Sequence, residues 1–124
     1  MGITTYFFDT YALYEIIVGN PNYKKYSIGI AIVTTRLQLM ELHYALLRTY
    51  SKEIADEKYD AFIDYCILID DATIKEAMLF KFQNKSRKLS YVDCIGYLLA
   101  KKLNILFLTG DQQFETFENV EYVK

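Results

Sequence analysis

The sequence predicts one α/β domain, spanning residues 1–124, with a central, mainly parallel sheet of about five short strands flanked by helices. Short apolar strands alternate with helical segments along the whole chain, a pattern typical of a parallel sheet covered on both faces. The length of 124 residues is near the commonest domain size. Apolar residues make up 52% of the chain and there is one proline, which argues against a disordered protein.

The first half of the chain contains the first two predicted strands and the helices that follow them. "TTYFFDT" is a buried strand ending at Asp9, and "TYALYEIIVG" is a helix stopped by Gly19-Asn20-Pro21. "SIGIAIVT" is the second strand. Two helices follow it, "TTRLQLMELHYALLRTY" and "SKEIADEKYDAFIDY", and the polar face of the second is heavily charged.

The second half repeats the alternation. "CILID" is the third predicted strand, and "DATIKEAMLFKFQN" is a helix capped by Asp70 or Asp71. After the basic connector "NKSRKL", Ser90 begins the helix "YVDCIGYLLAKKL", with Asp93 three positions on in a variant of the capping box. "NILFLT" is a strand, "GDQQFETF" a short helix and "VEYV" the final strand.

Composition narrows the functional classes. No apolar run is long enough to span a bilayer and the N-terminus lacks a signal-peptide pattern, so we expect a cytoplasmic protein without a membrane partner. Cys66 and Cys94 lie in apolar segments without CxxC spacing and are expected to be reduced, buried thiols. The net charge of −2 does not indicate a nucleic-acid-binding protein, although acids gathered in one metal site would leave the remainder slightly basic.

Four acids are predicted to meet at one edge of the sheet. In this fold a helix begins where a parallel strand ends, and ligands bind at that carboxyl edge. Asp9 and Asp111 follow predicted strands, Asp93 is in the first turn of a helix, and Glu41 is in the second turn of another. Glu41 also shares its helical stripe with apolar residues, and an isolated buried carboxylate is costly.

Each acid also has a local explanation. These explanations are a first-turn acid for Asp93, caps for Asp9 and Asp111, and an ion pair with Arg36 or Arg48 for Glu41. One shared cause accounts for all four together better than four separate ones. A hard divalent cation, Mg²⁺ or Mn²⁺, prefers carboxylate oxygens and water and would be such a cause.

With these motifs in order, the chain resembles the PIN domain family, and within it the short VapC-type toxins. The motifs are "FFDTYAL", "LQLMELHYAL", "LSYVDCIGYLLAKKLN" and "LTGDQQF", and the last two with their separation are the specific part. The resemblance covers essentially the whole chain. There are departures, since Gln38 stands where a hydroxyl residue is common, and Cys94 and Gly96 stand where alanines are usual.

The resemblance implies a metal-dependent endoribonuclease that uses Mg²⁺ or Mn²⁺ to hydrolyse RNA phosphodiester bonds. Its acidic quartet would be Asp9, Glu41, Asp93 and Asp111. Thr10 and Thr109 would be hydroxyl neighbours of these acids. Toxins of this kind are made beside a cognate antitoxin and usually form homodimers, so the resemblance also implies these two partners besides the RNA substrate.

The basic segment before the Asp93 helix supplies candidate RNA contacts. These are Lys81, Lys85, Arg87 and Lys88, whose phosphate contacts would set affinity rather than sequence choice. The alternative is a solvated surface. No role is predicted for His43, which points to another side of its helix than Glu41.

The sequence argues against two alternative functions and leaves a third open. A phosphotransferase of the haloacid dehalogenase type needs a second Asp two residues after the first, where this chain has Tyr11. A response-regulator receiver needs an acidic pair near the first strand and a Lys after a late strand, and neither is present. A PIN-fold module with weak or lost catalysis, which binds RNA or a protein, stays open.

Overall fold

The computed structural model describes residues 2–124 and has an α/β architecture. Four short strands form one sheet in the order β2-β1-β3-β4, and every neighbouring pair is parallel. The strands are β1 (Thr4–Phe8), β2 (Ile30–Val33), β3 (Leu106–Thr109) and β4 (Val120–Tyr122). The predicted fold class is therefore confirmed.

Five α-helices flank the sheet. They are α1 (Thr10–Val18), α2 (Arg36–Thr49), α3 (Lys52–Phe62), α4 (Asp71–Gln83) and α5 (Tyr91–Lys102). Short 3₁₀ turns occur at Pro21–Tyr26, Ile63–Tyr65 and Gln112–Phe114. Of the two candidate caps, Asp70 caps α4, because its carboxylate accepts a hydrogen bond from the Thr73 amide.

The core is divided between the two faces of the sheet. Phe7 and Phe107 pack with buried residues of α4 and α5. Phe8 and Leu108 pack on the opposite face with buried residues of α1, α2 and α3. Successive residues of a strand point to opposite faces, so each central strand, which reads as an apolar run, contributes to both cores.

Two predicted elements differ from the structure. "CILID" is not a strand, and its pairing is reduced to a single parallel bridge between Cys66 and Thr34. The reason is that β2 ends at Val33 and Thr35 already caps α2, so β2 has no further residues with which this segment could pair. Leu68 is therefore 88% exposed. The sheet therefore has four strands rather than about five. "GDQQFETF" forms only the 3₁₀ turn Gln112–Phe114.

Two smaller expectations concern cysteines and membranes. Cys66 and Cys94 are both free thiols; Cys94 is buried, as expected, whereas Cys66 is only partly buried. Across residues 2–124, no helix combines the length and the apolar character that crossing a bilayer requires.

Candidate active site

The order of the strands places the ends of β1 and β3 side by side. Phe8 is in register with Leu108, and the Asp9 amide donates a hydrogen bond to the Leu108 carbonyl at 3.1 Å. Asp9 follows β1 directly and is 2% exposed. The carboxylate that ends the first strand therefore lies beneath the surface of the carboxyl edge, between the two central strands.

Thr109 links two of the four acids. Its hydroxyl donates to Asp9 Oδ2 at 2.8 Å and accepts a hydrogen bond from the Asp111 amide at 3.1 Å. Gly110 lies between them, and a Cβ there would overlap the Tyr11 ring and the Val123 carbonyl. Thr109 and Gly110 thus set the path of the chain from β3 to Asp111.

Asp93 and Asp111 serve as caps and also line the same cleft. Asp93 Oδ2 accepts from the Ser90 amide at 3.0 Å while Ser90 Oγ accepts from the Asp93 amide, which completes the capping box. Asp111 Oδ1 accepts from the Gln113 amide at 3.0 Å. The local explanation of these two acids is correct, but it does not exclude a second role.

A cleft of about 440 Å³, here called the acidic cleft, contains three of the four predicted acids. Its lining includes Asp9, Thr10, Glu15, Arg48, Asp93 and Asp111. Glu41 lies beside it in a hollow of about 540 Å³, here called the side hollow, lined by Thr10, Met40, Glu41, Tyr44, Ala45 and Arg48. A larger pocket, of about 730 Å³, lies elsewhere, between α2 and α3, and contains none of the four acids.

Glu41 is hydrogen-bonded to Thr10, which lines the acidic cleft. The Thr10 hydroxyl is 2.9 Å from Glu41 Oε1, to which it donates, and 3.3 Å from the Gln38 carbonyl. Glu41 is half-buried, whereas Tyr44 on the neighbouring turn is 63% exposed. Neither Arg36 nor Arg48 forms a salt bridge with Glu41, so the ion-pair explanation of Glu41 does not hold within residues 2–124.

The electrostatics of the acids are unfavourable without a cation. Burial, and then the charge of Asp93, raise the pKa of Asp9 well above its usual range despite the hydrogen bond from Thr109. Burial is also the main cause that raises the pKa of Asp93 to about 6, with Glu41 and Asp111 adding repulsion. Burial raises the pKa of Glu41, and the hydrogen bond from Thr10 opposes it. Asp9 Oδ1 is buried and has no hydrogen-bond partner among residues 2–124.

The acids lie too far apart to form a complete set of metal ligands by themselves. In the part of the chain from residue 2 to residue 124, no three acidic, His or Cys side chains form a group that could hold a metal ion by themselves. A small divalent cation that keeps several of its waters can still be held through one or two direct carboxylates.

Gln38 and Gly96, two departures from the family pattern, meet in the structure. Gln38 is fully buried; it accepts a hydrogen bond from the Thr35 hydroxyl, and its Nε2 donates to the Val92 carbonyl at 3.1 Å. A Cβ at Gly96 would lie 2.5 Å from that Nε2. Gln38 thus links α2 to the first turn of α5, next to Asp93. Sequence reasoning missed this link, and the glycine inside an apolar helix was the available signal.

The four candidate RNA contacts, Lys81 at the end of α4 and Lys85, Arg87 and Lys88 in the basic connector, differ in how far internal contacts hold them. Arg87 donates to the Gln113 carbonyl at 2.8 Å and lies 4.5 Å from the centroid of the Phe117 ring. Lys81 donates to the Leu89 carbonyl. Lys85 lies over the Phe82 ring and Lys88 is exposed. None of these four basic residues lines the acidic cleft.

His43 lies apart from the acids. Its Nε2 is 2.7 Å from Asp56 Oδ1 on α3, and the same carboxylate accepts a hydrogen bond from Lys52. This contact joins α2 to α3, and it agrees with the expectation that His43 faces another side of its helix than Glu41.

The comparisons with known proteins agree with this architecture. The PIN domain matches residues 6–120, and the chain belongs to the PIN domain family. No curated protein matches the sequence. Among solved structures, the Mycobacterium tuberculosis toxin VapC20, which cleaves the sarcin-ricin loop, superposes with a TM-score of 0.80 at 16% identity, covering 96% of this chain and 99% of that one.

Two further structures have the same fold. The toxin–antitoxin pair VapBC2 from Rickettsia felis, bound to a DNA fragment from its promoter, matches with a TM-score of 0.68 at 20% identity, over 98% of this chain and 100% of that one. The DNA-bound VapBC from Salmonella typhimurium matches with a TM-score of 0.70 at 14% identity, over 96% of both chains. At these identities the likeness establishes the fold.

Proposed function

We propose that the protein is a metal-dependent endoribonuclease, the toxin of a type II toxin–antitoxin pair. The observation that supports it best is Asp9 Oδ1, a buried carboxylate oxygen in an acidic cleft shared with Asp93 and Asp111. This oxygen has no hydrogen-bond partner in the described part of the chain. Burying such a group costs several kcal/mol unless a partner compensates, and a divalent cation supplies that compensation.

The donor set fits Mg²⁺ or Mn²⁺. Asp9, Asp93 and Asp111 offer carboxylate oxygens, which these hard cations prefer to nitrogen or sulfur. Within residues 2–124 they do not form a closed set, which suits a cation that retains water ligands. We assign Asp9, Asp93 and Asp111 to direct or water-mediated binding of the cation, with Glu41 at the margin of the site.

The proposed mechanism is hydrolysis without a side-chain nucleophile. The bound cation would supply positive charge to the phosphodiester and lower the pKa of bound water. Glu41 orients the attacking water and accepts its proton; burial raises the pKa of this carboxyl and makes its ionised form a stronger base. As the water oxygen bonds to phosphorus, the bond to the leaving oxygen breaks, and that oxygen takes a proton from solvent.

Two hydroxyl groups position these acids. The Thr10 hydroxyl donates to Glu41 Oε1 and thereby limits the directions in which this carboxylate can turn. The Thr109 hydroxyl donates to Asp9 Oδ2, which leaves Oδ1 for the cation. Both hydroxyl groups act through the acids and touch no reacting atom.

The partners are proposed from the same family. The structures with this fold include a toxin that cleaves RNA and toxin–antitoxin complexes, which supports RNA as substrate and a cognate antitoxin as partner. A homodimer is the expected assembly. We place the protein in the cytosol, where RNA is available and where two free cysteines stay reduced.

A second candidate function is a PIN-fold module that binds RNA or a protein with weak or lost catalysis. The observation that favours it is the lack of a closed metal-ligand set within the described chain. The two functions differ in metal affinity, since a degenerate site should bind Mn²⁺ poorly.

The deciding experiment is cleavage of a mixed labelled RNA pool by the purified protein, free of any antitoxin, in Mg²⁺, Mn²⁺ or EDTA, beside Asp93→Asn. Cleavage in metal that is lost in EDTA and in the variant would establish the nuclease, and the cut sites would show its sequence preference. A folded protein that cleaves in no metal, or an Asp93→Asn variant with full activity, would overturn the proposed assignment.

A further inference from the structure

Tyr44 and Arg48 form an exposed pair beside the acids: both line the side hollow, and Arg48 also lines the acidic cleft. They lie four residues apart on α2, so they occupy the same face of the helix. The Arg48 guanidinium carbon is 5.2 Å from the centroid of the Tyr44 ring, and Tyr44 is 63% exposed. The pair therefore presents an aromatic face and a positive charge side by side to solvent.

Arg48 has a particular position relative to the acids. It lines both the acidic cleft and the side hollow, and among the described residues that line either, it is the one Lys or Arg. The remaining charged residues of these linings are Asp9, Glu15, Asp93 and Asp111 in the cleft and Glu41 in the hollow. A phosphate approaching the acids is repelled by them, and Arg48 is a side chain in both linings that attracts it.

The guanidinium is available for such a contact. Within residues 2–124, Arg48 forms no salt bridge, and the Tyr44 ring is its cation–π partner. Its place in the last turn of α2 suits the helix dipole, which accounts for a basic residue there. The dipole does not account for an exposed tyrosine beside it.

We propose that Tyr44 and Arg48 are the substrate-binding residues of the site, with Tyr44 stacking on a nucleobase and Arg48 binding a phosphate close to the one that is cleaved. This inference rests on the proposed ribonuclease function and adds the two residues that hold the RNA strand beside the acids. Stacking on an aromatic ring requires a base free of its duplex, and aromatic–arginine pairs suit unpaired strands.

A protein partner on the same surface is the competing explanation. Met40 and Leu47 on α2 are 53% and 41% exposed, and an apolar partner would cover them. RNA is favoured because Arg48 opens onto the acidic cleft itself, where a polyanion has to be neutralised. An apolar interface does not require an unpaired guanidinium at that position.

The test compares RNA binding and cleavage of the wild type, Tyr44→Ala and Arg48→Gln. Tyr65→Ala and Lys75→Gln are matched controls, since both residues are exposed and line neither the acidic cleft nor the side hollow. Binding of a short fluorescent single-stranded RNA is measured in EDTA, and KM and kcat are measured in Mg²⁺. The oligomeric state of each variant is recorded by light scattering.

We expect Tyr44→Ala to weaken binding about tenfold, the usual range for loss of one base–aromatic stack. Arg48→Gln should reduce the dependence of log affinity on log salt by about 0.7, the value for one phosphate contact to a single strand. Both should raise KM more than they lower kcat. The controls should match the wild type.

Other outcomes overturn the inference in separate ways. If the wild type cleaves RNA and both variants keep its KM and affinity, this inference alone fails. If Tyr44→Ala changes the oligomeric state and leaves RNA affinity intact, the surface belongs to a protein interface. If the wild type binds RNA through Tyr44 and cleaves none, the proposed nuclease fails and the binding site stands. If it neither binds nor cleaves RNA, both fail.

Discussion

Gln38 and Gly96 fit together across the contact of α2 with α5. The Gln38 side chain occupies the space that a Cβ at position 96 would need, 2.5 Å from its Nε2, and donates to the Val92 carbonyl at 3.1 Å. The long Gln38 side chain on α2 therefore fits only because position 96 on α5 has no side chain. Two of the three departures from the family pattern thus meet in one contact, and this contact lies next to Asp93.

Gly96→Ala is expected to destabilise the protein by about 1–3 kcal/mol, the usual range for an overpacked core. The new methyl would meet Gln38 Nε2 at 2.5 Å and the Phe7 ring at 2.8 Å. Urea denaturation measures the change in unfolding free energy. Gly2→Ala is the control, because nothing lies within 4 Å of its Cβ.

A double-mutant cycle with Gln38→Ala tests whether the two residues are coupled. Gln38→Ala alone removes the donor to the Val92 carbonyl and leaves the buried Thr35 hydroxyl without that acceptor, which should cost about 1–3 kcal/mol. In the double variant the clash with Gln38 is absent, so the total cost should be smaller than the sum by about 0.5 kcal/mol or more. Simple additivity would show that the two residues do not compensate for each other.

Asp93→Asn is expected to stabilise the metal-free protein near neutral pH. The pKa of Asp93 is raised from 3.8 to about 6 in the folded state, mainly by burial. A raised carboxyl pKa means that the folded state binds the proton more tightly, so stability is highest below about pH 4 and falls as the pH rises through about 6. This difference in the pKa of Asp93 between the folded and unfolded states corresponds to about 3 kcal/mol of stability at most.

Denaturation in EDTA at about pH 5 and about pH 7.5 measures this effect. The wild type should lose stability between these two values, and Asp93→Asn should lose less, because asparagine carries no charge and still accepts from the Ser90 amide. Equal pH slopes for the two proteins would contradict the burial of an ionised Asp93.

Mn²⁺ is expected to raise the melting temperature of the wild type but not of Asp9→Asn. A ligand at a hundredfold excess over its dissociation constant adds about 2.7 kcal/mol to stability. Asparagine keeps an acceptor for the Thr109 hydroxyl and removes the negative charge that the cation requires. Thermal unfolding with increasing Mn²⁺ gives the comparison, with Asp64→Asn as an exposed control. A similar shift in Asp9→Asn would place the cation elsewhere.

Thr10→Val is expected to lower the cleavage rate about tenfold and to shift the acidic limb of its pH profile upward. The substitution keeps the shape of the side chain and removes the hydroxyl that donates to Glu41 Oε1 at 2.9 Å. This hydrogen bond lowers the pKa of Glu41 against the effect of burial, so its loss raises that pKa further.

The pH dependence of kcat distinguishes this role from a purely structural one. Thr5→Val in β1 is the matched control, because Thr5 does not line the acidic cleft. A lower rate with an unchanged pH profile would show that Thr10 acts on something other than the ionisation of Glu41.

Arg87→Gln and Lys88→Gln show whether these residues of the basic connector stabilise the fold or bind RNA. Arg87 donates to the Gln113 carbonyl and lies over the Phe117 ring, so its loss should cost about 1–2 kcal/mol of stability. Lys88 is exposed, and its loss should leave stability within about 0.5 kcal/mol. Denaturation measures stability, and the salt dependence of RNA affinity shows whether either residue contacts phosphate. Equal stability of the two variants would contradict an anchoring role for Arg87.

Much of the fold follows from periodicity and local rules. Alternation of apolar strands with helices predicts a parallel sheet, and the Ser90–Asp93 capping box depends on residues three positions apart. Interactions between residues only a few positions apart can be predicted from one short segment of the sequence. The failure of "CILID" as a strand is different, because a strand needs a partner, and the partner strand ends at Val33 where α2 is about to begin.

By itself the sequence determined the α/β class, the positions of the acids at the ends of elements, and the caps that Asp93 and Asp111 provide. Tertiary structure alone decided the strand order that places Asp9 against Thr109, the burial of Asp9 Oδ1 without a partner, the contact of Gln38 with Gly96, and the opening of Arg48 onto the acidic cleft. The physical reason is range. Propensity and capping act within a few residues, whereas burial, repulsion between carboxylates and steric fit depend on segments far apart in the chain.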